Sequence, residues 1–256
     1  MSKARPTLLY LAPWIGVASV LVLWQAVVAL RILDPAIFPG PAHVLQSAVT
    51  DLSALELANH IRASLTRVAL GFALGTLLGI AIGIASGWYV TLGKIVWTPI
   101  EVLRPIPPLA WIPLALIWFG LGEQSKIFII FLGAFFPIVT NTYKGMLGVD
   151  PMLIRAGQMM GLKGPKLLLR VAIPAAMPDI ATGLRIGWSL AFGSLVAAEI
   201  LAAQEGLGYM IMHARELGQT GLIVFGIITI GVVTFLTDYL LNALFLKRQL
   251  RWHTRD

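Results

Sequence analysis

Five ionisable side chains fall inside or at the edges of long apolar stretches of this sequence: Arg67, Arg104, Arg185, Glu199 and Asp238. A charge within a bilayer is expensive, so such groups pair, snorkel to an interface, or serve a solute path. By the span limits below, most lie within about two turns of a span end, which fits pairing or snorkelling. The functional reading places Arg104, Arg185 and Glu199 on a substrate path, with the arginines adding positive potential for an anionic solute. Enzyme chemistry finds no constellation to work with. HExxH, GxSxG, paired aspartates on facing helices and a Gly-rich loop ending in Gly-Lys-Ser/Thr are all absent from the sequence. If ATP drives this protein, a separate chain must hydrolyse it. His43, His60, His213 and His253 show no ligand spacing and there are no cysteines, so no metal site is expected.

The elements that carry these residues are membrane spans. The 256-residue chain is 58% hydrophobic and 12% charged, against roughly 25% charged in soluble domains. That composition is expected of an all-α polytopic membrane protein. Lys3 and Arg5 precede an uncharged run over residues 6–30, longer than a signal peptide's apolar region, so an uncleaved first span is expected. Residues 31–61 read as extramembrane, with one amphipathic helix around 42–54. The second span is expected over 65–90, and it holds Gly71, Gly75, Gly79, Gly83 and Gly87, a strict spacing of four. Small residues at that spacing let a second helix approach to backbone contact, here within the same subunit. A third span at about 109–121, kinked by Pro113, a fourth over 127–143, a fifth from Pro178-Asp179 to about 202, and a sixth over 221–246 complete the set. The expected divisions are 1–63, a first helix plus a periplasmic segment; 64–246, the transmembrane core; and 247–256, a basic tail.

Six spans put both termini on one side. Lys3, Arg5, Lys94, Lys144, Arg155, Lys163, Lys166, Arg170, Lys247, Arg248, Arg251 and Arg255 fall on that side; Arg31, Arg62, Lys126 and Arg215 fall opposite. Positive charge concentrates in the cytoplasm, so both termini are expected there, and the net charge of +7 reports topology and not a nucleic-acid partner.

The same bias places residues 150–174, DPMLIRAGQMMGLKGPKLLLRVAIP, on the cytoplasmic face. Asp150 can cap a helix whose first position is Pro151, and Gly161 with Gly164-Pro165 can end it. Leu153, Ala156, Gly157, Met160 and Gly161 fall at the spacings of one face, nearly bare backbone, suited to pressing against a partner. A second short helix is expected to close at Pro174. On geometry alone the stretch is equally a packed connecting loop.

This stretch resembles the EAA motif of permease subunits of bacterial ABC importers. Ala156, Gly161 and Pro174 match it, whereas Arg155, Gly157, Val171 and Ile173 stand where the usual form has Glu, Ala, Ile and Leu. Arg104-Pro-Ile-Pro-Pro-Leu-Ala-Trp-Ile-Pro-Leu, Trp118-Phe-Gly-Leu-Gly-Glu, Thr182-Gly-Leu-Arg-Ile-Gly, Val196-Ala-Ala-Glu and Gly206-Leu-Gly-Tyr are similar to the nitrate/sulfonate/taurine branch, most of all to taurine permeases. The resemblance covers residue 64 to the basic tail. It implies a six-helix type I importer permease of the MetI-like fold in the bacterial inner membrane, working as a homodimer. The implied partners are two cytoplasmic ATPase subunits, which would hold ATP and magnesium, and a periplasmic solute-binding protein; no cofactor is implied on this chain. The solute would be a taurine-like sulfonate, with nitrate or another small anion as the alternative, and a stand-alone secondary transporter as the reading from a different class. Pro151, Leu153, Arg155, Ala156, Gly157, Met160, Gly161 and Pro174 would couple to the ATPase. With Arg155 in place of Glu, a salt bridge from that position to the ATPase is not implied.

Overall fold

The computed structural model describes residues 6–34 and 36–241, with side chains from residue 15 on. Among them every regular element is helical: α1 (Pro6–Ala29), α2 (Pro41–Thr50), α3 (Ala54–Trp88), α4 (Val90–Leu103), a 3-10 turn (Pro108–Trp111), α5 (Ile112–Phe119), α6 (Glu123–Leu147), α7 (Pro151–Met159), the one-turn α8 (Pro165–Leu167), a π-helical segment (Leu168–Ala172), α9 (Ile173–Ala202), α10 (Leu207–Glu216) and α11 (Thr220–Leu241). Ala54–Trp88, Glu123–Leu147, Pro165–Ala202 and Thr220–Leu241 are each long and apolar enough to cross a membrane. Val90–Leu103 and Pro108–Phe119 are together long and apolar enough, but they meet at an 88° bend, the form of a broken span or a re-entrant loop. The 24-residue α1 is the remaining helix of the sequence-based count of six.

Three boundaries differ from expectation, each for a local reason. α3 begins at Ala54, because Ser53 and Glu56 form a capping box: the Glu56 carboxylate accepts from the Ser53 amide at 2.9 Å, and the Ser53 hydroxyl accepts from the Glu56 amide at 3.1 Å. Its 35 residues make about 52 Å of helix, well beyond a hydrocarbon layer of about 30 Å. The third span breaks between Arg104 and Pro107, and Pro113 causes no kink, because it sits in the first turn of α5, where a missing N–H is harmless. Finally, no helix closes at Pro174 and none starts at Pro178-Asp179. The π turn over Leu168–Ala172 shifts the hydrogen-bond register just before Pro174, which lies in the first turn of α9, and Pro178 sits inside that helix.

The chain forms two compact units, residues 1–58 with 210–229 and residues 59–209 with 230–256. In the first, the Trp24 indole donates to the Pro39 carbonyl at 3.1 Å, and the segment 210–229 joins through the Thr220 hydroxyl, 2.9 Å from the Ala36 carbonyl, and through Gly221 against Ser47. The tail at 247–256 lies outside the described residues.

In the second unit α6 is the central column: 67% of its apolar window is buried, against 28% for α3. α9 packs along one side and the glycine row of α3 along another. Gly71, Gly75, Gly79, Gly83 and Gly87 face Ile130, Ala134, Ile138, Thr142 and Met146, so both helices contribute residues four apart. Ridges of the same i±4 kind interdigitate, and each glycine brings the backbones together where lipid supplies no hydrophobic drive. A Cβ built on Gly75 would lie 2.7 Å from the Ala134 Cβ and 3.1 Å from the Phe135 amide, and neither can step aside cheaply. Gly75→Leu is therefore expected to destabilise the fold by about 1–3 kcal/mol through overpacking, read as a lowered melting temperature in detergent. Gly193→Ala, where an added Cβ meets nothing within 4 Å, should leave the melting temperature unchanged or slightly raised.

Candidate functional site

The stretch over residues 150–174 leads from the end of α6 into the root of α9. The Asp150 carboxylate accepts from the Met152 amide at 2.7 Å, and Pro151 opens α7. The helix stops in a Schellman arrangement: the Leu162 amide donates to the Gly157 carbonyl at 3.0 Å and the Gly161 amide to the Gln158 carbonyl at 2.9 Å. Gly161 has φ +82°, a conformation costing other residues roughly 1–2 kcal/mol, and an added Cβ there would meet nothing. Its requirement for glycine is conformational. The expected stripe is divided at Gly157 too. That residue is buried against Leu167 and Val171, and its added Cβ would lie 2.7 Å from Leu167 Cδ1. α7 thus rests on the root of α9 through Gly157. It exposes Met152, Arg155, Ala156 and Met159, at i, i+3, i+4 and i+7, with Leu153 and Met160 at the margins. Methionine, an adaptable and polarisable side chain, dominates the outward surface.

The charged residues separate into three settings. Glu199, in the last turn of α9, is fully buried. It accepts from Arg67 Nη1 at 2.8 Å, from the Ser64 hydroxyl at 2.7 and 2.9 Å, and from the Gly208 amide at 2.8 Å. Arg67, also buried, donates besides to both carboxylate oxygens of Glu123 and, at 2.6 Å, to the Glu205 carbonyl. Lys126 completes the cluster at 2.8 Å from Glu123. The cluster therefore holds α3, α6, α9 and the start of α10 together, with Glu199 enclosed by its partners. Gly206, φ +124°, lies over the pair, and a Cβ there would strike Glu199 and Arg67. The phrases Val196-Ala-Ala-Glu and Gly206-Leu-Gly-Tyr are thus two walls of one cluster.

Arg185 lines a cavity of about 530 Å³ with Asp238, Trp188, Ser189 and Thr234. Arg104 lines a different one, about 300 Å³, between the break after α4 and the α6–α9 pair, with Gly133, Thr140 and Asn141 in its wall. The three expected path residues are thus not brought together. Among the described residues no group of three or more His, Cys, Asp or Glu side chains is placed to hold a metal ion.

Residues 75–248 match the family of binding-protein-dependent transport system inner membrane components. The chain belongs to this family. It is 39% identical to the taurine transport system permease protein TauC of Escherichia coli, over 92% of this chain and 87% of that one. It is 37% identical to a permease of Bacillus subtilis provisionally named for aliphatic sulfonate transport, over 92% and 85%. Its fold is that of the membrane subunit in inward-facing structures of the MetNI methionine ABC transporter, TM-score 0.59 at 20% identity, covering 74% of this chain and 96% of the other. As a family member the chain is an ABC-transporter permease subunit of the sulfonate, taurine and nitrate group, an inner-membrane component and not an enzyme.

The buried cluster makes a direct stability prediction for this permease. Glu199→Ala leaves Arg67 with Glu123 as its carboxylate partner but takes the acceptor from the buried Ser64 hydroxyl and Gly208 amide, and should cost about 3 kcal/mol. The paired change Arg67→Met with Glu199→Leu should recover only part of that loss, because the desolvated charge pair is gone while the Ser64 hydroxyl and the Gly208 amide still lack Glu199. Melting of the purified variants in detergent measures both.

Proposed function

We propose that two copies of this chain form the pathway of an ATP-driven importer for a small organic sulfonate of the taurine type. Both termini face the cytoplasm, where two ATPase subunits, with ATP and magnesium, dock on α7; a periplasmic binding protein delivers the solute. The observation that carries this reading is the seating of α7. Gly157 packs on Leu167 and Val171, in the segment that runs without a break into α9, and α9 is the main partner of the central α6. A displacement applied to α7 therefore moves the root of a membrane helix, whereas a loose loop would dissipate it.

The outward face narrows how docking works. Met152, Arg155, Ala156 and Met159 would be the contact surface, with Leu153 and Met160 flanking it, Gly157 and Pro174 setting the fit to α9, and Pro151 and Gly161 fixing the ends. The taurine reading rests on the taurine and sulfonate relatives together with the sequence phrases shared with that branch. A stand-alone secondary transporter gains no support from the ionisable groups: among the described residues the one buried carboxylate, Glu199, is held by Arg67.

Reconstitution with the ATPase and the binding protein in proteoliposomes tests the proposal. ATP-dependent uptake of labelled taurine is expected with the unaltered permease. The double change Met152→Glu and Met159→Glu alters only exposed side chains, so melting should shift by no more than about 0.5 kcal/mol. ATPase association and uptake should nevertheless fall at least roughly tenfold, since two carboxylates would be driven into a desolvated contact. Retention of both would sink the coupling role of α7.

A further inference from the structure

We propose that the cavity beside Arg104 is where the membrane pathway binds the sulfonate group of its solute, with Arg104 as the cationic partner and Thr140 as the hydroxyl donor. This rests on the sulfonate reading above and assigns it a place. Arg104 stands at the 88° break after α4, where the guanidinium has neither an ion-pair nor a hydrogen-bond partner among the described residues. Arg104 is exposed at a break between two apolar helices, so its charge is open to an ion or solute in the cavity it lines. No carboxylate lines its cavity, unlike that of Arg185, where Asp238 shares the wall. Of the two arginine cavities, only the one at Arg104 carries uncompensated positive charge.

Thr140 supplies an independent observation. A helical threonine usually returns its hydroxyl to the carbonyl four residues earlier, as Thr182, Thr229 and Thr237 do here. Thr140 does not: it is 6% exposed, it lines this cavity, and its Oγ1 has no partner. A buried hydroxyl without a bond is costly, and an oxyanion in the cavity would remove that cost.

Acceptors lie on the same wall as Thr140: Gly133, Pro137, Thr140 and Asn141 fall at i, i+4, i+7 and i+8 of α6 and all line the cavity. Pro137 has no N–H for the Gly133 carbonyl four residues earlier. Asn141 turns its Nδ2 to the Pro137 carbonyl at 2.8 Å, which leaves Oδ1 as its acceptor. The lining thus holds donors, Arg104 and Thr140, and acceptors, the Gly133 carbonyl and Asn141 Oδ1, the two kinds of partner a zwitterion needs. An anion lacking the ammonium would use only the donors.

The absence of cysteine from the chain permits a direct test in the assembled transporter. Ile186→Cys places a single thiol on the cavity wall. Its reaction with the sulfonate-bearing reagent methanethiosulfonate ethylsulfonate is compared with that of the cationic ethyltrimethylammonium reagent. The anionic reagent should be favoured, taurine should slow it, and Arg104→Gln should reduce the preference roughly tenfold. In parallel, Arg104→Gln and Thr140→Val should raise KM for taurine uptake about tenfold or more with ATPase association unchanged, and Arg104→Lys should restore part of the loss. An unreactive thiol, or one with no charge preference, overturns the site. A preference that depends on Arg104 in a transporter that does not import taurine keeps the anion site and sinks the taurine reading instead.

Discussion

A carboxylate with no exposed surface must find its positive charge inside the protein, and the second unit of this permease is built on that requirement. Glu199 lies in the last turn of α9, where the helix dipole opposes a negative charge. Arg67 from α3, the Ser64 hydroxyl and the first amides of α10 offset both that opposition and the lost hydration. The same contacts satisfy α10, whose Leu207 and Gly208 amides donate to Ser64 and Glu199 and so cap its N-terminus by tertiary contacts. Glu123, at the favourable end of α6, then anchors the outer side of Arg67. Arg67 with its two carboxylates thus links α3 to the start of α6, the last turn of α9 and the beginning of α10.

Along the rest of their length the helices are held by shape. Five glycines on α3 meet five residues on α6 at the same interval, and close backbone approach replaces the hydrophobic drive that lipid cannot provide. This division of labour leaves polar irregularity to a few places. The break after α4, the proline inside α6 and the π turn before α9 each release backbone groups from a helical ladder. Such release is tolerated in a membrane where protein surrounds it or a cavity adjoins it. The Arg104 cavity adjoins the first two, and the seat of α7 adjoins the third.

Much of the stretch over residues 150–174 was legible, because its signals are local. Asp150-Pro151 marks a cap and Gly161 marks a left-handed stop, and both depend on residues within one turn. The face of α7 was not legible in the same way. Spacing grouped Gly157 and Gly161 with Ala156, but Gly157 is small because Leu167 and Val171 lie against it, and Gly161 is small because its backbone requires it. Sequence cannot separate a glycine kept for packing from one kept for φ. The Ser53–Glu56 capping box was readable and would have extended the second span, whereas Pro113 and Pro174 misled because a proline in a first turn looks the same in sequence as one that breaks a helix.

What the sequence by itself determined is the class of molecule: apolar runs and the glycine interval require a bundle of membrane helices with a polar insertion, and the shared phrases identify its family. These are properties of composition and short-range spacing, which hydropathy and helix geometry translate directly. Which charges pair was decided only by the tertiary structure. Arg67 and Glu199 are separated by more than a hundred residues, and Arg104, Arg185 and Glu199 look alike as isolated charges in apolar sequence. Folding gives one of them a buried partner, gives another a carboxylate in its cavity wall, and places Arg104 on a cavity whose lining includes an unbonded hydroxyl, because each environment is assembled from helices that sequence distance does not relate.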